Sequence, residues 1–167
     1  MVVDTRLLVI VDDSVASKRA VSYVGKFVGK RRGFRICLVH VLPSLPPELL
    51  EYGGSNPAAE TLSEVDLKTD QVRWTAEAKK TSQKVLDEAH ATLRKAGILA
   101  ETMQTLFCEP EEGPYAADAI LDMARKCRCR TVVVGKQSVS WFHRLFSQEL
   151  SEELLRRGKG FCVWAVE

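Results

Sequence analysis

Arg6 to Val11 is an unbroken run of leucine and β-branched residues, the pattern of a strand covered on both faces in a parallel sheet. It stops at Asp12-Asp13. Ser14 follows as a helix N-cap, and Ala16, Ala20, Val24, Phe27 and Val28 recur at helical spacing until Gly29 and Gly33 end the segment. Phe34 to Leu42 reads as a second strand, closed by Pro43, Pro46 and Pro47. From there to about Leu67 the chain is rich in Pro, Gly, Ser, Asn and Glu, so residues 43–67 are expected to form a long irregular loop. Because it leaves the second strand and has little apolar content, it is expected to be mobile and to cover the end of the sheet.

Asp70 to Ala96 carries Val72, Ala76, Val85, Leu86, Ala89 and Leu93 among charged residues, a long amphipathic helix closed by Gly97. Ile98 to Cys108 is a third strand with 109–113 as its exit loop. Pro114 suits the first turn of a helix whose stripe is Ala117, Ile120, Leu121, Ala124 and Cys127. Thr131 to Val134 is a fourth strand ending at Gly135, a helix is expected at about 146–157, and Phe161 to Val166 is a last strand. The alternation of strand and helix predicts an α/β sandwich of three layers, a five-stranded parallel sheet with helices on both faces, because right-handed crossovers leave few other packings.

With 167 residues, 46% of them hydrophobic and 28% charged, the chain is expected to form a single domain over 1–167. No apolar run reaches the ~18 residues of a membrane span, and no basic start precedes an apolar stretch as in a secretory leader. The net charge of +2 is too small for a general nucleic-acid field. Basic clusters at 30–35 and 125–130 sit at helix ends, where cations complement the helix dipole, so nucleic acid is not an expected partner. The five cysteines are odd in number and scattered, which suits reduced thiols in a cytoplasm.

Three segments together, Val9-Ile10-Val11-Asp12-Asp13-Ser14 with Ala20, Leu38-Val39-His40-Val41, and Val132-Val133-Val134-Gly135, resemble the universal stress protein family over nearly the full chain. The resemblance implies an adenine nucleotide alpha hydrolase-like, Rossmann-like fold, a cytoplasmic location, homodimerisation through the last strand, and either binding or loss of ATP. It implies no general catalytic chemistry. In its nucleotide-binding members the loop after the fourth strand carries G-x2-G-x9-G-[ST], where backbone N–H groups and a hydroxyl surround phosphates. Here Gly135 matches the first glycine, but Ser138, Gln148 and Glu149 occupy the remaining positions. Ser138 tolerates a turn and can donate a hydrogen bond, whereas Gln148 adds bulk and Glu149 sets a carboxylate against the anion. At the adenosine end Asp12 matches the family's acidic residue and Val41 the residue whose backbone meets adenine.

Each of these has a second reading. Asp12-Asp13-Ser14 also suits plain helix capping, and Gly135 a turn with positive φ. Lys136, His143 and Arg144 give the altered loop three anion-binding side chains. Trp141-Phe142 reads as an anchor of that loop on the domain body rather than a stacking platform. Cys127-Arg128-Cys129 is too short for a C-x2-C metal knuckle and lacks a second pair, so no metal site is expected; Cys127 reads as an apolar helix position and Cys129 as an exposed, oxidisable thiol. No Ser-His or Cys-His pair can be assigned, so no catalytic residue is.

The expected function is therefore a non-catalytic stress-response or signalling module, homodimeric, with altered or lost ATP binding. The candidate nucleotide-binding residues are Asp12, Val41, Gly135, Ser138 and Arg144, with ATP or AMP as the ligand class. The alternatives are a nucleotide-binding stress sensor with weak ATP hydrolysis and a redox regulator that uses Cys129.

Overall fold

Alternate residues of the buried strands face opposite layers, and the two resulting cores account for the architecture. A computed structural model of the chain describes residues 5–49, 64–109, 116–136 and 150–167. Its elements are β1 (Thr5–Ile10), α1 (Val15–Val28), β2 (Phe34–Val41), α2 (Glu64–Lys95), β3 (Met103–Cys108), α3 (Ala116–Lys126), β4 (Thr131–Gly135), α4 (Leu150–Arg157) and β5 (Cys162–Val166). The strands form one sheet in the order β3-β2-β1-β4-β5, every pair parallel, as the alternation predicted.

Leu7, Val9, Val11, Ile36, Leu38 and Val133 pack under Ala20 and Val24 of α1 and Leu86 and Leu93 of α2. On the other face Leu8, Ile10, Cys37, Val39, Val132 and Val134 pack against Ile120 and Leu121 of α3 and Leu154 of α4. The strands of the middle layer are apolar on both sides for this reason, and β1 lies at the centre of the sheet between β2 and β4. Arg157 fastens α4 to α3, pairing with Glu153 in its own helix and Asp118 in the other.

Several boundaries differ from the sequence expectation. α2 begins at Glu64 rather than Asp70, so the irregular segment ends earlier; Leu67, with 8% of its surface exposed, gives that extra turn its hold on the body. Within the expected loop, Pro47–Leu49 is one 3-10 turn, and residues 50–63, where the mobile cover was expected, lie outside the described residues. β3 begins at Met103 rather than Ile98, because Ala100–Thr102 is a 3-10 turn held by the Thr102 hydroxyl donating to the Leu99 carbonyl. Pro114 and the expected helix start at 146 also lie outside the described residues, where α3 and α4 are seen from Ala116 and Leu150.

α3 closes with a turn that places one cysteine. Arg128 has φ +56, the Arg128 N–H donates to the Arg125 carbonyl at 3.0 Å and the Cys129 N–H to the Ala124 carbonyl at 2.8 Å. This pair of bonds is a Schellman closure with a left-handed residue that is not glycine, and it folds Cys129 back beneath the sheet. Cys129 is 2% exposed, so the expectation of an accessible thiol there is overturned; the exposed cysteine is Cys162 on β5.

Candidate functional site

The order of the strands reverses direction at β1, which pairs with β2 on one edge and β4 on the other. In open parallel sheets the crevice outside the carboxyl ends at such a point is where ligands bind. Asp12 lies there, just past β1 and only 3% exposed. Its backbone N–H donates to Ser17 Oγ at 2.9 Å, and its Oδ1 accepts the Ser14 N–H at 2.8 Å. Ser14 Oγ in turn accepts the Ser17 N–H at 3.0 Å, so Ser14 is the N-cap that the sequence predicted. Capping and a pre-set acidic side chain at the crevice are thus two aspects of one network. Asp13 is exposed beside it.

Gly135, at the end of β4, meets this same turn. A Cβ there would lie 2.4 Å from the Ala16 carbonyl carbon, 2.5 Å from its oxygen and 2.7 Å from the Ser17 nitrogen. Gly135 is not among the glycines with positive φ, so the turn reading is replaced: the residue is small because β4 touches the backbone of the first turn of α1. Val41 is at the carboxyl end of β2, 2% exposed, with its side chain in the core shared with α3. Asp12, Val41 and Gly135 therefore stand at the ends of, or just beyond, the three adjacent strands β1, β2 and β4. Ser138 and Arg144 lie outside the described residues, as do His143, Trp141-Phe142, Gln148 and Glu149. Lys136 is described, and its Nζ pairs with the carboxylate of Glu167, whose pKa that ammonium lowers first by hydrogen bonding and then by its charge.

Sequence reasoning assigned no role to His40. The β1–β2 ladder continues to the Val11 N–H, which donates to the Val39 carbonyl at 2.8 Å; one step further the His40 ring Nδ1, 2.8 Å from the Val11 carbonyl, takes over. A ring nitrogen facing a carbonyl oxygen must carry the proton, so neutral His40 is the Nδ1–H tautomer. The ring is 7% exposed and meets Phe107 edge-on, with centroids 6.4 Å apart. Burial lowers its pKa, against the Val11 hydrogen bond and the charges of Asp12 and Asp13. Nothing local in the sequence announces this contact, since its partner is on another strand.

A histidine kept neutral by the fold contributes stability that is whole above the ordinary 6.5 and is lost as pH falls from there through the lowered folded value. Urea midpoints of the parent are expected to fall between pH 7.5 and about 5, and to fall less in His40→Asn, whose amide nitrogen stands where Nδ1 does and can donate to Val11 but cannot titrate. Equal losses in the two proteins would remove His40 from the account.

Between the start of α1 and the last third of α2 lies a cleft of about 170 Å3, lined by Val11, Asp12, Ser17, Lys18, Val85 and Glu88, among others. It is smaller than the ~300–1,000 Å3 of sites that enclose a drug-sized ligand. Lys18 and Glu88 approach within 3.9 Å of each other beside it. Among the described residues no group of His, Cys, Asp or Glu is placed to hold a metal ion, and no helix is long and apolar enough to cross a membrane.

The family model described as the universal stress protein family matches residues 5–160. Among solved structures, a protein of that family from Burkholderia pseudomallei is similar with a TM-score of 0.65 and 18% identity, covering 98% of this chain and 96% of that one. The universal stress protein from Archaeoglobus fulgidus in complex with dAMP gives 0.57 and 16%, with 100% of each chain covered. A family member from Arabidopsis thaliana with AMP bound gives 0.56 and 16%, covering 97% of this chain and 90% of that one. No curated protein matches. At these identities the structural likeness speaks for the fold.

Proposed function

This chain belongs to the universal stress protein family, and from that membership we propose that it is a single-domain, non-catalytic stress-response module of the cytoplasm. In this reading it is homodimeric through β5 and takes an adenine nucleotide weakly, with ATP binding altered or lost. The observation that carries the reading is the arrangement of Asp12, Ser14, Ser17 and Gly135, a fixed polar floor at the strand-order reversal. Structures of similar fold hold AMP and dAMP, which supports an adenosine-sized ligand at this end of the sheet. Val41 is assigned to the adenine side; Gly135, Ser138 and Arg144 are assigned to the phosphate side. Gln148 and Glu149 oppose a triphosphate by bulk and charge.

Calorimetry of the whole chain with AMP, and with ATP and Mg²⁺, tests this. Weak AMP binding with no tighter ATP binding is the expected result. Ser138→Gly, Gln148→Gly and Glu149→Ser combined should then raise ATP affinity about tenfold or more, the ~1.4 kcal/mol scale of relieving one like-charge contact in a site shielded from water. Adding Asp12→Ala should reduce that gain. Tight Mg²⁺-dependent ATP binding by the parent, accompanied by ADP release, would instead establish a nucleotide sensor with weak hydrolysis. An unchanged affinity in the triple variant would mean that the adenosine half does not bind either.

A further inference from the structure

At the amino-terminal end of the sheet, away from the nucleotide crevice, three cysteines converge. Cys37 of β2 and Cys129 of the turn after α3 are both in the core shared by α3 and α4, with their Sγ atoms 3.7 Å apart. Gln104 stands opposite Cys37 on β3 and donates its amide N–H to Cys37 Sγ at 2.9 Å, reaching Cys127 Sγ at 3.8 Å. Arg6 of β1 donates to the Cys127 carbonyl at 3.4 Å. A cleft of about 100 Å3, lined by Cys37, Gln104, Arg6 and Arg35, opens onto this group from the surface. We propose that Cys37 and Cys129 form a reversible disulfide when hydrogen peroxide enters this cleft, with Cys37 as the attacking thiol and Cys129 as the resolving one.

The surroundings divide the roles. Cys37 is lowered to about 6, first because the Cys129 thiol donates to it, with the Gln104 amide, the Cys127 thiol and the Arg6 charge adding to this against burial. Cys129 is pushed far up by that same donated bond and then by burial. Cys127 is raised to about 11, first by burial. Of these three thiols Cys37 is the one whose surroundings favour the thiolate, and it is also the one that lines the cleft.

The chemistry closes on these atoms. The Cys37 thiolate attacks one peroxide oxygen, the O–O bond breaks, and the departing hydroxide takes a proton to become water, leaving Cys37 as the sulfenic acid. Cys129 sulfur then attacks the Cys37 sulfur, the S–O bond breaks, and the hydroxyl leaves as water with the proton that Cys129 gives up. Two thiols and one peroxide yield one disulfide and two waters, with two electrons passing from sulfur to oxygen. The sulfurs must close by less than ~2 Å to reach bonding distance, a movement available to the 127–130 turn. A dithiol reverses the bond by exchange.

The test uses the full chain carrying Cys162→Ser, which removes the exposed thiol on β5. One equivalent of hydrogen peroxide is expected to remove two alkylatable thiols, lower the intact mass by the two hydrogens, and give a Cys37–Cys129 linked peptide that dithiothreitol abolishes. Adding Cys129→Ser should bring the linked peptide to zero and raise dimedone incorporation at Cys37 from trace to about one per chain. The linked peptide in the Cys129-containing chain is diagnostic even if the second variant folds poorly. Oxidation with Cys37 untouched, or a Cys37–Cys127 link in place of the Cys129 one, overturns the assignment.

Discussion

Gly135→Ala is expected to lower the free energy of unfolding by at least the ~1–3 kcal/mol typical of overpacking, read as a fall in urea midpoint at unchanged slope. The added Cβ has nowhere to go. Its neighbours at 2.4–2.7 Å are the carbonyl of Ala16 and the nitrogen of Ser17, all backbone, so no side chain can rotate away. Either the end of β4 withdraws from β1 or the first turn of α1 lifts. Lifting the turn strains the bond from the Asp12 N–H to Ser17 Oγ and the cap at Ser14, so any response to AMP should fall with stability. A variant within about 0.5 kcal/mol of the parent would show that β4 and α1 are not in such close contact.

Val163→Pro is expected to convert a dimer into a monomer at micromolar concentration in sedimentation analysis, with the fold retained. The ladder explains why one position can separate the two properties. Cys162 donates its N–H to the Arg130 carbonyl, and the Val166 carbonyl accepts the Lys136 N–H, so these residues turn their peptide groups towards β4. The two-residue repeat of an extended strand then sends those of Val163 and Ala165 to the outer edge. Proline at 163 removes an N–H that a second copy would use and leaves the rungs to β4 in place. The edge is short and partly apolar, and Trp164 packs beside it on Phe27 at 4.9 Å between ring centroids, with Tyr23 at 6.2 Å. Such an edge invites pairing. A parent that sediments as a monomer refutes the dimer, and a proline variant that still dimerises moves the interface elsewhere.

The alternation of elements and the enclosed strands were legible because leucine and β-branched runs such as Arg6 to Val11 and Thr131 to Val134 have few other interpretations. The first turns of α2 were not. Glu64 to Thr69 has helix-forming residues but no apolar period, and the burial of Leu67 shows only in the folded chain. At the crevice, Ser14 was readable because capping is local, whereas the need for glycine at 135 depends on α1, more than a hundred residues earlier in the chain. His40 and Val11 met only through strand register. Cys129 was misjudged for a related reason: a short polar segment after a helix reads as surface, and the left-handed Arg128 that turns it inward has no glycine to announce it. The Cys37 pairing likewise needs the spatial order in which β1 lies between β2 and β4.

That order also sets a timetable for synthesis. β1 has its β2 partner soon after it is made, with Leu7 opposite Ile36, but its other partner begins at Thr131. Until then a ribosome has released β1, β2 and β3 with their helices while the central strand still shows a bare edge where Leu7 to Val9 will receive β4. Late, long-range closure of this kind slows folding and prolongs the exposure of an adhesive edge. The nascent chain should therefore depend on chaperone shielding over the stretch of translation between β2 and β4, and the two halves of the crevice are joined only when that stretch is complete.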